Sequence, residues 1–574
     1  MKRLYIEQWE EWLARERVDL HSVAPDQAAS HGDLVRSSLS IIRTHEEKRF
    51  EGGIIASLSI PWGQARGDHD LGGYHFVWPR DLAQVGGGLL AAGACEEALR
   101  VLHYFQAVQE ADGSWSQNLW LDGQPLGDHL QLDQTALPIL LLEAGVRAGA
   151  VDAVQLRRLR PMVRKAAGFL AVSGPFTRQD RWEEMAGYST FTIAVQIAAL
   201  VAAALILDDR APPRSSDEKN ERVASSDGPG ERRTGGAGAA DLLLDVADDW
   251  FDHIDFWTFT TSSELAARIG VAGHYVRLAP QEADSGPGAG GRIDVKNRPE
   301  VQTRQAANVV SPDALALVRY GLRRADDPRI VDTLKVIDET LRDEFAQGPC
   351  WRRFTGDGYG EHADGSPYDG AGIGRPWPLL TGERAHYELA AGRIDMARRL
   401  LKAMAAFAGR AGALPEQVWN ADDLPELDLF RGGATHSAKP LVWAHAEYLK
   451  LLRSLRDGRI FDQPAGMGDR YLHRDVSPSY VHWSPFHRRS TLFQGRRLRV
   501  LTEDARLVKW SVDGGVIVET QSAPAALGFH VAELRTERAE VGGVLRFSVL
   551  STKASENDEE FVMRIHSAAS TRGS

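Results

Sequence analysis

Apolar positions recur at helical spacing along most of this chain. They predict helices over 82–93, 96–109, 133–148, 153–171, 191–207, 242–251, 313–323, 329–345, 383–391, 394–408 and 435–455. Two more lie within 1–48, broken near Val23-Ala24-Pro25-Asp26. The stretch 191–207 is apolar on all sides, yet it is Ala-rich, carries Gln196 and directly follows a polar segment. A membrane-spanning helix needs about 20 strongly apolar residues. A helix of this kind is instead one buried inside a large protein. So many helices, joined by long loops rich in Trp, Gly, Asp and Glu, predict helix pairs wound into a double ring. Residues 51–81 differ, being Gly-rich with short β-like pieces at 54–60 and 74–77.

Two further stretches break the helical period. Residues 208–240 hold Pro-Pro-Arg-Ser-Ser-Asp-Glu-Lys and Gly-Gly-Ala-Gly-Ala-Ala but few large apolar side chains, which predicts a disordered surface insertion. Beyond Phe461 short alternating runs appear at 496–501, 507–512, 516–520, 530–534, 544–550 and 561–565. Their spacing predicts a small β-sandwich. The expected organisation is a helical domain, 1–462, and a C-terminal β domain, 463–574. Trp483 or Trp510 could offer sugar-stacking faces in the latter; a plain packing domain is the alternative.

Composition narrows the partners. The net charge of −12 over 574 residues argues against nucleic acid or an anionic membrane, since phosphate binding needs a basic face. Cys95 and Cys350 allow at most one disulfide and no thiolate metal cluster. No His pair has ligand spacing, so His69, His75 and His436 are read as structural or hydroxyl-binding, and no metal or other cofactor is expected. A monomer is expected. Residues 1–16 are charged and amphipathic without an apolar h-region, which reads as cytoplasmic unless the start is truncated, when secretion stays open.

The densest chemistry is Asp180-Arg181-Trp182-Glu183-Glu184, followed by Gly187-Tyr188-Ser189-Thr190 and the apolar run. Ser or Thr before such a run starts a helix. Glu183 and Glu184 therefore stand at the mouth of a buried helix beside an indole, where poor hydration raises a carboxyl pKa. A second carboxylate, Glu416, follows Pro415, which biases Leu414 to an extended backbone and places Glu416 on a loop. Arg80-Asp81 after Trp78-Pro79 sets a cation and an anion side by side at a helix start, fit to grip sugar hydroxyls together. Residues 358–384 carry Tyr359, Tyr368, Arg375 and Trp377 among Gly and Pro, a composition suited to a cleft wall.

Four segments match a known pattern together and in order: Gly72-Gly73-Tyr74-His75-Phe76-Val77-Trp78-Pro79-Arg80-Asp81, Arg181-Trp182-Glu183-Glu184, Gly374-Arg375-Pro376-Trp377 and Pro415-Glu416-Gln417. Over about 40–455 the chain resembles the glucoamylase family, glycoside hydrolase family fifteen, in its bacterial glucoamylase and glucodextranase branch. The resemblance implies an (α/α)6 barrel that cuts glucose from non-reducing ends of α-glucans with inversion. It implies Glu183 as general acid and Glu416 as general base. Arg80, Asp81, Tyr74 and Trp78 would hold the terminal glucose, and Trp182, Glu184, Arg375 and Trp377 would be flanking contacts. The substrate could be an α-1,4 glucan, an α-1,6 dextran or isomalto-oligosaccharide, or trehalose. A non-catalytic glycan-binding protein on the same scaffold is the alternative of another class. That branch usually carries a β-sandwich before the barrel, whereas here the chain starts almost at the first barrel helix.

Overall fold

The computed structural model describes residues 2–15, 18–23, 33–63, 73–127, 129–208, 238–285, 290–298, 300, 302–550 and 559–567. Most of the expected insertion, at 209–237, and His69 lie outside the described residues, while Ala239 and Ala240 already belong to a helix.

After an N-terminal helix, Lys2–Ala14, twelve helices among the described residues alternate between two rings. The outer ring holds α1 (Leu34–Thr44), α3 (Cys95–Ala107), α5 (Ala153–Ser173), α7 (Ala239–Thr258), α9 (Pro328–Leu341) and α11 (Ile394–Ala406). The inner ring holds α2 (Pro79–Ala91), α4 (Leu132–Arg147), α6 (Thr190–Leu207), α8 (Ala316–Arg319, after a 3-10 turn Pro312–Leu315), α10 (Pro378–Ala390) and α12 (Val442–Asp457). Each inner helix packs on the next, and α12 returns to α2, so the ring closes into an (α/α)6 barrel.

Local chemistry places the helix starts. Asp33, Asp152, Ser189, Ser311 and Asp327 accept from backbone N–H groups of the first turn that would otherwise lack partners. Pro79, Pro312 and Pro378 occupy first helical positions, where the missing N–H costs nothing. All of α6 is buried except Leu205, as a helix apolar all round requires. Gly88 lets α2 touch α12, because a Cβ there would lie 2.8 Å from the Ala446 Cα.

Several boundaries differ from expectation. The helix expected over 329–345 stops at Leu341, and Arg342–Phe345 turns extended to pair with Gly348–Trp351, turning Phe345 edge-on to Phe407. Residues 435–441 are loop, and α12 begins after Leu441. The pieces at 54–60 and 74–77 form no strand, only isolated bridges such as Glu46↔Ile54 and Val77↔Leu119. A hairpin pairs Arg292–Val295, which alternates over only four residues, with the wholly polar Gln302–Gln305.

The C-terminal strands build two sheets. One runs in the order Thr491–Phe493, Glu560–His566, Val544–Leu550, Leu507–Val512, Val518–Gln521. The other runs Ala523–Pro524, His530–Leu534, Arg497–Thr502, Tyr480–Trp483. A core of its own, including Val481, Trp483, Leu498, Phe547 and Ile565, lies between them. Trp483 is thus fully buried and offers no sugar platform, while Trp510 is half-buried against the same core with its Nε1 donating to Thr520. This region docks on α7: Arg489 pairs with the buried Asp249, Arg496 with Asp252 and Arg499 with Asp245.

Candidate active site

The starts of three inner helices, α2, α10 and α12, converge on one cavity of about 370 Å³. Trp78 and Trp377 directly precede the first turns of α2 and α10, each followed by Pro; Arg80 and Asp81 lie in the first turn of α2, and Leu441 and Trp443 flank the start of α12. All six line the cavity with Tyr74, Trp182, Glu183, Arg353, Tyr359 and Glu416. Helix N-termini carry partial positive charge, so the converging ends favour electron-rich groups between them.

Glu183 sits on an excursion of the chain between α5 and α6. Thr177 and Gly187 exchange both backbone hydrogen bonds and close its base, at 3.1 and 2.9 Å. At the tip, Asp180 Oδ1 accepts from the N–H groups of Glu184 (2.9 Å) and Met185 (3.2 Å), and Asp180 Oδ2 pairs with Arg277 at 2.6 Å. This forces Glu183 to φ +67°, a left-handed conformation that a non-glycine residue holds only when its surroundings over-determine it. A chain of hydrogen bonds joins it to Arg80: Arg80 to Gln131 (2.5 Å), Gln131 to Gln179 (3.0 Å), and Gln179 to the Glu183 carbonyl (2.8 Å). Arg80 also approaches the Glu183 carboxylate at 3.5 Å. The Glu183 side chain is 39% accessible and lines the cavity. Desolvation raises its pKa to about 7, against the opposing charges of Arg80 and Arg353.

Glu416 is 2% exposed. Its backbone N–H donates to Ala438 O at 2.8 Å, and Tyr74 Oη donates to Oε1 at 2.6 Å, itself 2.5 Å from Tyr359 Oη. Oε2 has no protein hydrogen bond. Burial raises this carboxyl also to about 7, while the Tyr74 hydrogen bond and the Arg353 charge hold it down. Asp81 is raised to about 6 by burial, with Arg80 opposing. Arg80 is nearly buried between Gln131, Asp133 and the Trp443 face.

Eight of the ten residues singled out from sequence, Glu183, Glu416, Tyr74, Trp78, Arg80, Asp81, Trp182 and Trp377, therefore meet in one cavity. Glu184 and Arg375 do not. Glu184 is fully buried behind the wall, its carboxylate accepting from Lys296 N (2.7 Å) and Asn297 Nδ2 (2.6 Å), so its role is to hold the tip of hairpin 292–305. Arg375 is 3% exposed, stacks on Trp419 and donates to Asn420 and to the carbonyls of Glu361 and His362. Both expected contacts are corrected to supports of the wall.

The cavity also takes in Arg353, Trp443, Gln117, Asn118 and Asn297, which had not been singled out. Arg353 is bidentate to Asp357 and lies over Trp182, Tyr359 and Trp377. Its i,i+4 spacing to Asp357 was the one available clue. Asn297 holds φ +57° with its side chain between Glu184 and Tyr368.

A closed ring of helix pairs with two raised carboxyls in an aromatic, arginine-furnished cleft defines a class: the six-hairpin barrel with a sugar-sized, carboxylate-lined site. The sequence pattern of Glycosyl hydrolases family 15 matches residues 29–453, and the chain belongs to that family. It is 36% identical over 472 residues to a glucoamylase of Clostridium sp. (strain G0005), covering 82% of this chain and 59% of that protein. The crystal structure of a bacterial glucoamylase complexed with acarbose superposes with a TM-score of 0.67 at 36% identity, over 82% of this chain and 61% of that one. A solved glycosidase at 18% identity and TM-score 0.51, covering 76% of this chain and 99% of its own, shares the fold. The chain thus spans about three-fifths of the length of the first two relatives.

Proposed function

We propose that the chain is an inverting, exo-acting α-glucoside hydrolase that releases β-glucose from the non-reducing ends of α-glucans. One observation carries the reading: Glu183 and Glu416, remote in sequence, line a single cavity that also holds the Arg80–Asp81 pair. The relative named glucoamylase and the acarbose complex support an α-linked glucose chain as substrate.

The division of labour follows from the surroundings. Cleavage passes through an oxocarbenium-like state, in which one carboxylic acid protonates the leaving oxygen and a carboxylate activates water on the opposite face. Both carboxyls are raised to about 7, so proton affinity alone does not divide them; Glu183, the more accessible and approached by Arg80 at 3.5 Å, is read as the acid. Glu416 receives the Tyr74 hydroxyl on Oε1, which favours its ionised form, and Oε2 is left to take a proton from water. Inversion requires about 6.5–9.5 Å between the carboxyls. Arg80 and Asp81, at 3% and 8% exposure, line the same cavity and would hold the hydroxyls of the terminal glucose. Arg80 lies 3.5 Å from the Glu183 carboxylate, so a single glucose held by the pair would bring its glycosidic oxygen near Glu183, as exo action requires.

The test is glucose release from maltotriose, isomaltotriose and trehalose by the purified chain. Turnover of maltotriose above the other two would assign the linkage as α-1,4. Release from none of them removes the hydrolase reading.

A further inference from the structure

The turn Ser484-Pro485-Phe486-His487, at the start of the C-terminal β region, lies against the chain excursion that carries Glu183. Ser484 N and His487 N each donate to the other residue's carbonyl oxygen, at 3.2 and 3.1 Å, so the turn is closed on itself. It meets the excursion at three places. Ser484 Oγ donates to Val172 O at 2.5 Å, at the end of α5 where the excursion leaves. Arg178, on its ascending side, lies 5.7 Å over the Phe486 ring. His487 Nε2 is 3.0 Å from Tyr188 Oη, where the chain returns to α6.

The last of these contacts is a built one. His487 and Tyr188 are 4% and 1% exposed. Tyr188 stacks on Trp257 at 4.8 Å and 12°, and Phe176, on the opposite strand of the excursion, meets Tyr188 edge-on at 5.2 Å. Trp257 lies on α7, where Arg489 and Asp249 form a fully buried ion pair that ties the β region to the barrel. Burial, with the Arg489 charge, holds the His487 imidazole well below its ordinary pKa, so it is neutral at working pH. The turn is therefore anchored to the outer ring and reaches both feet of the excursion whose tip holds Glu183 at φ +67°.

We propose that this turn is a clasp that positions the general acid, with His487 and Tyr188 as its positioning residues, so that the C-terminal β region takes part in catalysis without touching substrate. The proposal rests on the reading of Glu183 as the acid. A displaced acid fails only where the leaving group needs a proton. In maltose the leaving group is the 4-oxygen of the second glucose, which departs poorly as an alkoxide unless protonated, whereas α-glucosyl fluoride loses fluoride without that help.

The experiment compares kcat on maltose and on α-glucosyl fluoride for the full chain, Tyr188→Phe and His487→Ala, with pH profiles and thermal melts. Tyr188→Phe removes only the hydroxyl and keeps the stack on Trp257, so it guards against a His487→Ala protein that fails to fold. The expected result is a fall of about tenfold or more on maltose, less than twofold on the fluoride, and a shifted basic limb of the maltose profile. Unchanged turnover of both substrates in Tyr188→Phe overturns the proposal, and so does an equal loss on both. If the unmodified chain hydrolyses neither substrate, the functional reading fails first and takes the clasp with it.

Discussion

The barrel interior holds two groups of carboxylates, and they behave in opposite ways. Near the starts of the inner helices, Glu183 and Glu416 have few partners, and burial lifts both to about 7. Deeper in the ring, Glu447 on α12 accepts from Arg319 in bidentate fashion at 2.8 and 2.9 Å, from Lys450 at 2.9 Å and from His386 at 2.8 Å. Asp462 joins the same network through Arg319 (2.7 Å) and Lys450 (3.1 Å). Burial pushes Glu447 and Asp462 up too, but the Arg319 and Lys450 charges overcome it and hold both well below the usual carboxylate range. Depth alone does not set a carboxyl's proton affinity; the count of cations and donors around it does. One group is saturated and serves the fold, the other is left hungry and available for chemistry.

Substitutions should separate the two groups cleanly. The largest effect is expected at the open group: Glu183→Gln and Glu416→Gln should each lower maltose kcat by at least about 10²–10⁴-fold, the ordinary worth of a positioned proton transfer. Both should fold, as checked by melting. At the saturated group, Glu447→Gln should leave the intrinsic activity of folded protein near normal but destabilise it by about 3–5 kcal/mol, because Arg319 and Lys450 lose their counter-charge in a dry site. Urea unfolding measures that loss. An activity defect with unchanged stability would erase the contrast.

The pH dependence sharpens it further. Glu447 and Asp462 have depressed values in the folded state, so their contribution to stability is present above the ordinary carboxylate range and is lost as pH falls through and below it. Glu416 is raised, so its contribution is present below about 4.5 and is lost as pH climbs toward 7. Glu416→Gln should therefore be at least as stable as the parent at pH 7, with an advantage that shrinks toward pH 4, by urea unfolding at each pH. The smallest effect is expected from Tyr74→Phe. Without that donor the ionised form of Glu416 is less favoured, so the acidic limb of kcat/KM should move to higher pH while the basic limb, set by Glu183, stays in place.

How far the sequence announces all this depends on how local each signal is. The inner helices are legible because α6 is apolar on every side and because Trp78-Pro79 and Trp377-Pro378 punctuate helix starts. Glu183 is legible from its place beside Trp182 before a helix. Arg353 and Trp443 are not, since an arginine after a strand and an indole in a helix's first turn look like ordinary structure until tertiary folding aims them at the cavity. Glu184 misleads for the opposite reason. Next to Glu183 in sequence, it turns to the other side of a tight tip and spends its carboxylate on the hairpin at Lys296 and Asn297. The helix expected to run to Phe345 ends early because pairing with Gly348–Trp351 outweighs helix propensity there.

The central claim is that Glu183 and Glu416 act on opposite faces of one sugar ring, Glu183 on the glycosidic oxygen and Glu416 through a water that attacks the anomeric carbon. Proton NMR of the first glucose released from maltotriose by the unmodified chain tests this most directly. The account predicts the β-anomer, appearing first and only then equilibrating with α. Release of α-glucose as the first product would mean that the second carboxylate attacks the sugar itself, and would contradict it.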